Sequence, residues 1–148
     1  MCNHYYDVQS SIGFLTITAN RLMSAYFRKR LIESGIDLTA EQWGVLAQLW
    51  NQNSVSQDEL AYLLCVDKSS LSRVLDVMER KGLVARRRDP GDARRKILCS
   101  TPTAERLKTQ CRDVAENATA DILKDISPSD HAACVNVLRQ IKDNIRAI

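Results

Sequence analysis

Residues 54–101, SVSQDELAYLLCVDKSSLSRVLDVMERKGLVARRRDPGDARRKILCST, decide the fold. They read as a short helix, a tight turn, a second helix and a basic hairpin. In the second helix, expected from position 67 to 81, Leu71, Val74, Leu75 and Met78 recur at i, i+3, i+4 and i+7 and make one apolar stripe. The opposite stripe carries Ser69, Ser72, Arg73 and Asp76. It begins small and hydroxyl-rich with one long cation, where an ordinary solvated helix shows Glu–Lys pairs. Such a face suits a DNA major groove. Small donors and acceptors let the backbone approach, and arginine reaches a guanine edge or a phosphate. Cys65-Val66-Asp67 makes the turn, with Asp67 placed as N-cap, and Gly82 ends the helix at the C′ position. Arg80 and Lys81 then suit the negative end of the helix dipole, which accounts for them without DNA.

The hairpin supplies the charge. From Arg80 to Lys96 eight basic side chains face only Asp89 and Asp92, a local excess of six positive charges in a chain whose formal net charge is +3. The remainder is therefore net negative. Concentrated charge at a loop tip is an electrostatic footprint for phosphate. A solvated face is the other reading of any basic run, and its position directly after a helix-turn-helix pattern favours nucleic acid. Residues 83–88 and 96–100 read as two strands joined by Asp89-Pro90-Gly91-Asp92, a turn sequence.

Taken in order, Leu60-Ala61, Asp67-Lys68-Ser69, Ser72-Arg73, Leu75, Met78-Glu79, Lys81-Gly82-Leu83-Val84, Arg86, Asp89-Pro90, Asp92-x-Arg94 and Thr101 resemble the MarR-type transcriptional regulators. Leu38-Thr39, Gln42, Leu46 and Leu49 extend the resemblance upstream, so it covers most of the chain. It departs at Ala93, where another Arg is common, at Ser100, where Leu is common, and at Ala104, where Gly is usual. The resemblance implies a mainly helical winged helix-turn-helix fold with a small β-hairpin wing, flanked by N- and C-terminal dimerisation helices. It also implies that Asp92 supports Arg94, which enters the minor groove from the wing tip. Narrow minor grooves attract arginine, and a neighbouring carboxylate can fix its direction.

The candidate DNA surface follows from these readings. Ser69, Ser72 and Arg73 are expected at base edges or phosphates, and Lys68 at phosphate. Arg88, Arg95 and Lys96 are expected to neutralise the backbone, with Ser56, Gln57, Asp67 and Ser70 at the two helix starts completing the surface. Arg86 stays open between DNA contact and a structural ion pair at the wing base.

Outside this stretch the pattern is helical. In residues 10–33 Ile12, Leu15, Ala19, Leu22 and Tyr26 repeat at alternating spacings of three and four, with Met23 and Phe27 widening the stripe. A heptad-like seam this near the start is more simply explained by pairing with another chain than by a local core. Ser34-Gly35 stops that helix. Thr39 and Gln42 form a capping box before Trp43, Leu46, Leu49 and Trp50, and Ser56 and Glu59 form a second one. Thr101-Pro102 and Ser127-Pro128 each place a cap before a proline at N1. Leu107, Cys111, Val114, Ala118 and Ile122 line one face of the helix that follows the first, and Cys134, Leu138, Ile141, Ile145 and Ile148 line the last. The expected architecture is a single domain, 1–148. Its DNA-binding lobe is 36–100, and 8–34 with 101–148 form a helical lobe that pairs in a two-fold dimer. The half-sites of a pseudo-palindromic operator would mirror that symmetry.

Composition narrows the classes. At 148 residues, with five Gly, three Pro and 26% charged residues, the chain suits one mostly helical domain. The first residues lack the basic and apolar runs of a signal peptide, and no stretch is apolar enough to span a membrane, so a cytoplasmic protein is expected. Five cysteines without CxxC spacing argue against disulfides or zinc, and no cofactor or metal is expected. There is no glycine-rich phosphate loop, HExxH or GxSxG, and His4 and His131 are isolated, so no enzyme is expected. Oxidant-sensing members of the resembled family carry a Cys near the start of the first helix. Gly13 occupies that position and Cys2 lies well upstream, so that device does not carry over. Cys111 and Cys134 read as inert core residues. Cys65, before a helix N-terminus that can lower a thiol pKa, and Cys99 on a wing strand are candidate thiol switches. Trp43, with Tyr26 and Phe27, is the candidate pocket for a small aromatic effector.

Three functions follow as expectations. The first is a DNA-binding regulator, a repressor released by a small ligand. The second is a thiol-switched regulator of the same fold. The third is a winged-helix module that binds protein.

Overall fold

The computed structural model describes residues 7–148, so Cys2 and His4 lie outside the described residues. After a 3-10 turn at Val8–Ser10 come helices α1 (Ile12–Glu33) and α2 (Ala40–Gln52) and a two-residue strand β1 (Val55–Ser56). Helices α3 (Gln57–Leu64) and α4 (Lys68–Arg80), strands β2 (Val84–Arg88) and β3 (Lys96–Ser100), and helices α5 (Pro102–Ile122) and α6 (Pro128–Arg146) complete the chain. The fold is mainly helical, six helices with a small antiparallel sheet of order β1-β3-β2.

Each helix starts where a capping side chain stands. Thr39 and Ser56 close full capping boxes with Gln42 and Glu59, and Asp67, Thr101 and Ser127 cap α4, α5 and α6. Gly82 stops α4 at φ +69°, which lets the Leu83 N–H reach back to the Met78 carbonyl at 2.9 Å. The chain then turns into the wing with β2 and β3 paired from Val84↔Ser100 to Arg88↔Lys96. Strand β1 is not anticipated by the sequence reading: two residues show no alternation, and Ser56 reads only as a helix cap. It pairs Val55↔Leu98 and Ser56↔Ile97, and so staples the wing to the start of α3.

One core joins these pieces. Leu46, Leu49, Leu60, Leu75 and Met78 are fully buried, with Leu31 and Leu38 from the end of α1 and its loop, Leu98 from the wing and Cys111 from α5. Burying each such side chain contributes roughly 1.5–3 kcal/mol. The expected stripe of α4 is confirmed at Leu71, Leu75 and Met78, while Val74 is half-buried. Trp43 and Trp50 are half-buried and pack against this core.

The two ends behave differently. On α1, Ile12, Leu15 and Leu22 are 58%, 49% and 74% exposed, and α6 buries no residue at all in its own chain. The seams read from the sequence are therefore apolar and unpartnered within one chain. Cys134 departs from expectation: it is exposed, not core, because none of the described residues covers that face of α6. Among the described residues no helix is long and apolar enough to cross a membrane, and no cluster of His, Cys, Asp and Glu is arranged to hold a metal ion.

Candidate nucleic-acid interface

The reading face of α4 is organised from its cap. Asp67 accepts from the Ser70 N–H at 2.8 Å and from the hydroxyls of Ser69 and Ser70. Those hydrogen bonds, Ser69 first, hold the Asp67 carboxyl well below the usual range and keep it charged. Ser72 is half-buried, and Arg73 is exposed with no ion pair among the described residues. Lys68, expected at phosphate, is held by Asp58 at 2.9 Å.

In the wing, alternation sorts the arginines. Arg86 turns toward α4 and donates to Asp76 at 2.9 Å and to Glu79, with only 21% of its side chain exposed. Of the two readings left open for this residue, the structural ion pair is the one whose partners are in place. Arg87, Arg88, Arg94 and Lys96 are exposed and make no ion pair among the described residues. Arg95 instead contacts Glu59 at 2.7 Å and Asp89 at 3.9 Å. Asp92 accepts from the Arg94 backbone N–H at 2.9 Å, so its carboxylate shapes the turn and does not grip the Arg94 guanidinium. Glu59 is the residue whose part the sequence underread. Its carboxyl is lowered to about 2, first by the Ser56 N–H, then by the Ser56 hydroxyl and the Arg95 guanidinium. The capping box announced the first two partners. Nothing in the sequence announced the third, 36 positions away.

Lys81 is occupied away from any DNA-facing surface. Its ammonium donates to the carbonyl and carboxylate of Asp37, both at 3.2 Å, which also receives Arg28. The end of α4 is therefore tied to the loop after α1.

The proposed effector residues are only partly brought together. Phe27 and Trp43 pack edge to face, with ring centroids 4.9 Å apart at 73°. They line a cleft of about 290 Å³ between α1, α2 and α5, together with Met23, Ala115 and Ile122. Tyr26 is not among that cleft's lining residues: its hydroxyl donates to Asp121 at 2.6 Å, which raises its pKa. Cys65 is exposed in the left-handed region at φ 54°, with the Arg146 guanidinium 3.2 Å from its sulfur and 4.0 Å from the centre of the Tyr62 ring. Cys99 is half-buried on β3, and Cys111 is buried with its thiol pushed up to about 11 by desolvation.

A helix presenting hydroxyls and arginine beside a wing of free cations matches known proteins along most of the chain. A mutant MarR from Escherichia coli, in complex with operator DNA, superposes with a TM-score of 0.78 at 25% identity, covering 87% of this chain and 91% of that one. BpsR of Bordetella bronchiseptica, whose DNA binding is regulated by 6-hydroxynicotinic acid, gives 0.82 at 26% identity over 93% and 97% of the two chains. A protein assigned to regulation of the hcr operon in Thauera aromatica is 28% identical over 134 residues, 89% of this chain and 81% of its own length. These features define the class: a winged helix-turn-helix DNA-binding transcriptional regulator. The MarR family profile matches residues 38–96, from the loop before α2 to the start of β3, so this part of the chain is similar to that family.

Proposed function

We propose that the chain acts in the cytoplasm as a homodimeric repressor that leaves its operator when a small molecule binds. The observation that carries this reading is the pair of unpartnered apolar faces on α1 and α6, flanking a reading surface that is polar and basic. Exposed apolar seams on two long helices call for a partner, and a second copy satisfies both at once. Residues 36–100 then form the DNA lobe, while 8–34 and 101–148 form the pairing lobe. Each α4 would enter the major groove of one half-site, with half-sites about 10 base pairs apart. Ser69, Ser72 and Arg73 would read bases or phosphate and Arg94 the minor groove. Arg88 and Lys96 would neutralise phosphates, joined by the start of α3 at Ser56 and Gln57.

Release requires that a ligand bind one spacing of the two reading helices better than the other. The Phe27–Trp43 cleft supports this reading, because its walls come from α1 and α5 on one side and α2 on the other. The regulation of BpsR by 6-hydroxynicotinic acid supports a small aromatic acid as the effector class. A second reading, thiol control, rests on the exposed Cys65 beside Arg146 at the turn before α4.

The test is binding of the purified dimer to the DNA upstream of its own gene, from low to physiological salt, with small aromatic acids and then peroxide added. Selective binding with a steep salt slope, relieved by an acid, is the expected result. Release by peroxide that vanishes in a Cys65→Ser, Cys99→Ser variant would move control to the thiols. A monomer in sedimentation would overturn the dimer.

A further inference from the structure

Backbone pairing between the wing and the helices ends at Ser56↔Ile97. Past that register the wing tip, residues 89–95, projects beyond the third strand. Its closure is local: the Asp89 N–H donates to the Arg95 carbonyl, and the Arg95 N–H to the Asp92 carbonyl, both at 2.9 Å. Among the described residues, one side-chain ion pair or hydrogen bond joins this tip to a helix, and it runs from Arg95 Nη2 to Glu59 Oε1 at 2.7 Å. Glu59 is fixed at its other oxygen, where Oε2 accepts from the Ser56 N–H at 2.9 Å and the Ser56 hydroxyl at 2.8 Å. Its carboxylate is thus held at both ends, by the helix it caps and by the loop it restrains. The neighbouring Asp58 holds Lys68, the first residue of α4. One turn of α3 therefore grips both DNA-facing elements.

We propose that Glu59 is a positioning residue for DNA recognition: through Arg95 it sets where Arg94 stands relative to α4, and Arg95 is a strut, not a phosphate ligand. This rests on the reading of α4 and the wing as the DNA-contacting elements. Two physical consequences separate a strut from a ligand. Were Arg95 a phosphate ligand, Glu59 would compete with DNA, and removing its charge would tighten binding to every duplex. As a strut, its removal frees the tip, and Arg94 must lose that freedom again at each specific site. Non-specific binding depends on how many phosphates are contacted and not on their register, so loosening the tip lowers the operator's advantage over unrelated DNA.

The experiment uses the full-length protein with Glu59→Gln, which keeps an oxygen for the Ser56 cap, Arg95→Gln, and the double variant. Affinities are measured for the operator and for an unrelated duplex of equal length across a salt series. Each single variant should lower the specific-to-non-specific ratio about twofold to fivefold, within the range a partly exposed ion pair can carry. The double variant should fall no further than the weaker single one, and Arg95→Lys, which keeps the pair, should recover most of the ratio. The salt slope of Arg95→Gln on unrelated DNA should match the wild type. A ratio unchanged by Glu59→Gln overturns the proposal. So does tighter binding of both duplexes by that variant, with the Arg95→Gln slope reduced by about 0.9. A wild type without any sequence preference would instead sink the underlying assignment of α4 and the wing, and the strut with it.

Discussion

Replacing Arg86 by methionine should weaken the fold and leave DNA recognition intact. Methionine keeps most of the side-chain stem and removes the guanidinium that donates to Asp76 and Glu79. Two charge-assisted contacts on a side chain only 21% exposed, with partners 57% and 44% exposed, are worth about 1–2 kcal/mol together. Deleting the cation also leaves two carboxylates one helical turn apart, which adds roughly 0.2–0.5 kcal/mol of repulsion. The sum, about 1.2–2.5 kcal/mol, should lower the melting temperature by about 2–10 °C in a chain of this size. The assay pairs thermal and urea unfolding with operator titrations on the folded variant. Affinity should stay within about twofold of the wild type, since no DNA contact is lost. The reasoning is refuted if stability is unchanged while the salt slope falls by about 0.9, the mark of one lost phosphate contact.

Arg94→Ala should cost about 1–3 kcal/mol on the operator with no shift in melting, because the side chain has no partner among the described residues; equal affinity would remove it from the interface. Acid should act through Glu59, whose folded value of about 2 lies below its ordinary 4.5. A depressed carboxylate contributes stability that is complete above pH about 4.5 and lost as pH falls through about 2, so the wild-type melting temperature should drop across that window more steeply than that of Glu59→Gln. Parallel curves would show that the carboxylate is not linked to folding. Iodoacetamide at pH 8, mapped by mass spectrometry, should label Cys65 in the native protein and Cys111 only after unfolding, since burial keeps the Cys111 thiol protonated. Native labelling of Cys111 would contradict the packing of α5 against the core.

The sequence made the reading helix and the helix starts legible because both are local signals. A stripe at Leu71, Leu75 and Met78 needs only the helical period, and Thr39, Ser56, Asp67, Thr101 and Ser127 each announce a cap within three residues. What stayed hidden depends on partners distant along the chain. Strand β1 exists only because Leu98 and Ile97 come back to it. Arg95 reads as a phosphate contact, Lys81 as a partner of the helix dipole and Arg86 as open between DNA and an ion pair, and each is paired with a carboxylate that the basic run itself does not contain. Cys134 sat on an apolar stripe, and periodicity cannot tell a face covered by its own chain from one left open. Asp92 took the turn's backbone where a grip on Arg94 had been expected, since a carboxylate two residues back reaches an N–H more readily than a long side chain.

The junction at Thr101 has a mechanical consequence. Its N–H donates to the Leu83 carbonyl at 3.1 Å and its hydroxyl to the Gly82 carbonyl, so α5 begins pinned to the point where α4 ends and the wing begins. With 21 residues, α5 is a lever arm of roughly 31 Å with its fulcrum at that pin. A shift of about 3 Å at the far end turns the arm by about 5–6° and scarcely moves the fulcrum. The reading head is thereby steered in angle more than in position, and two such arms set back to back would trade small strokes at the top for changes in how the heads face one groove.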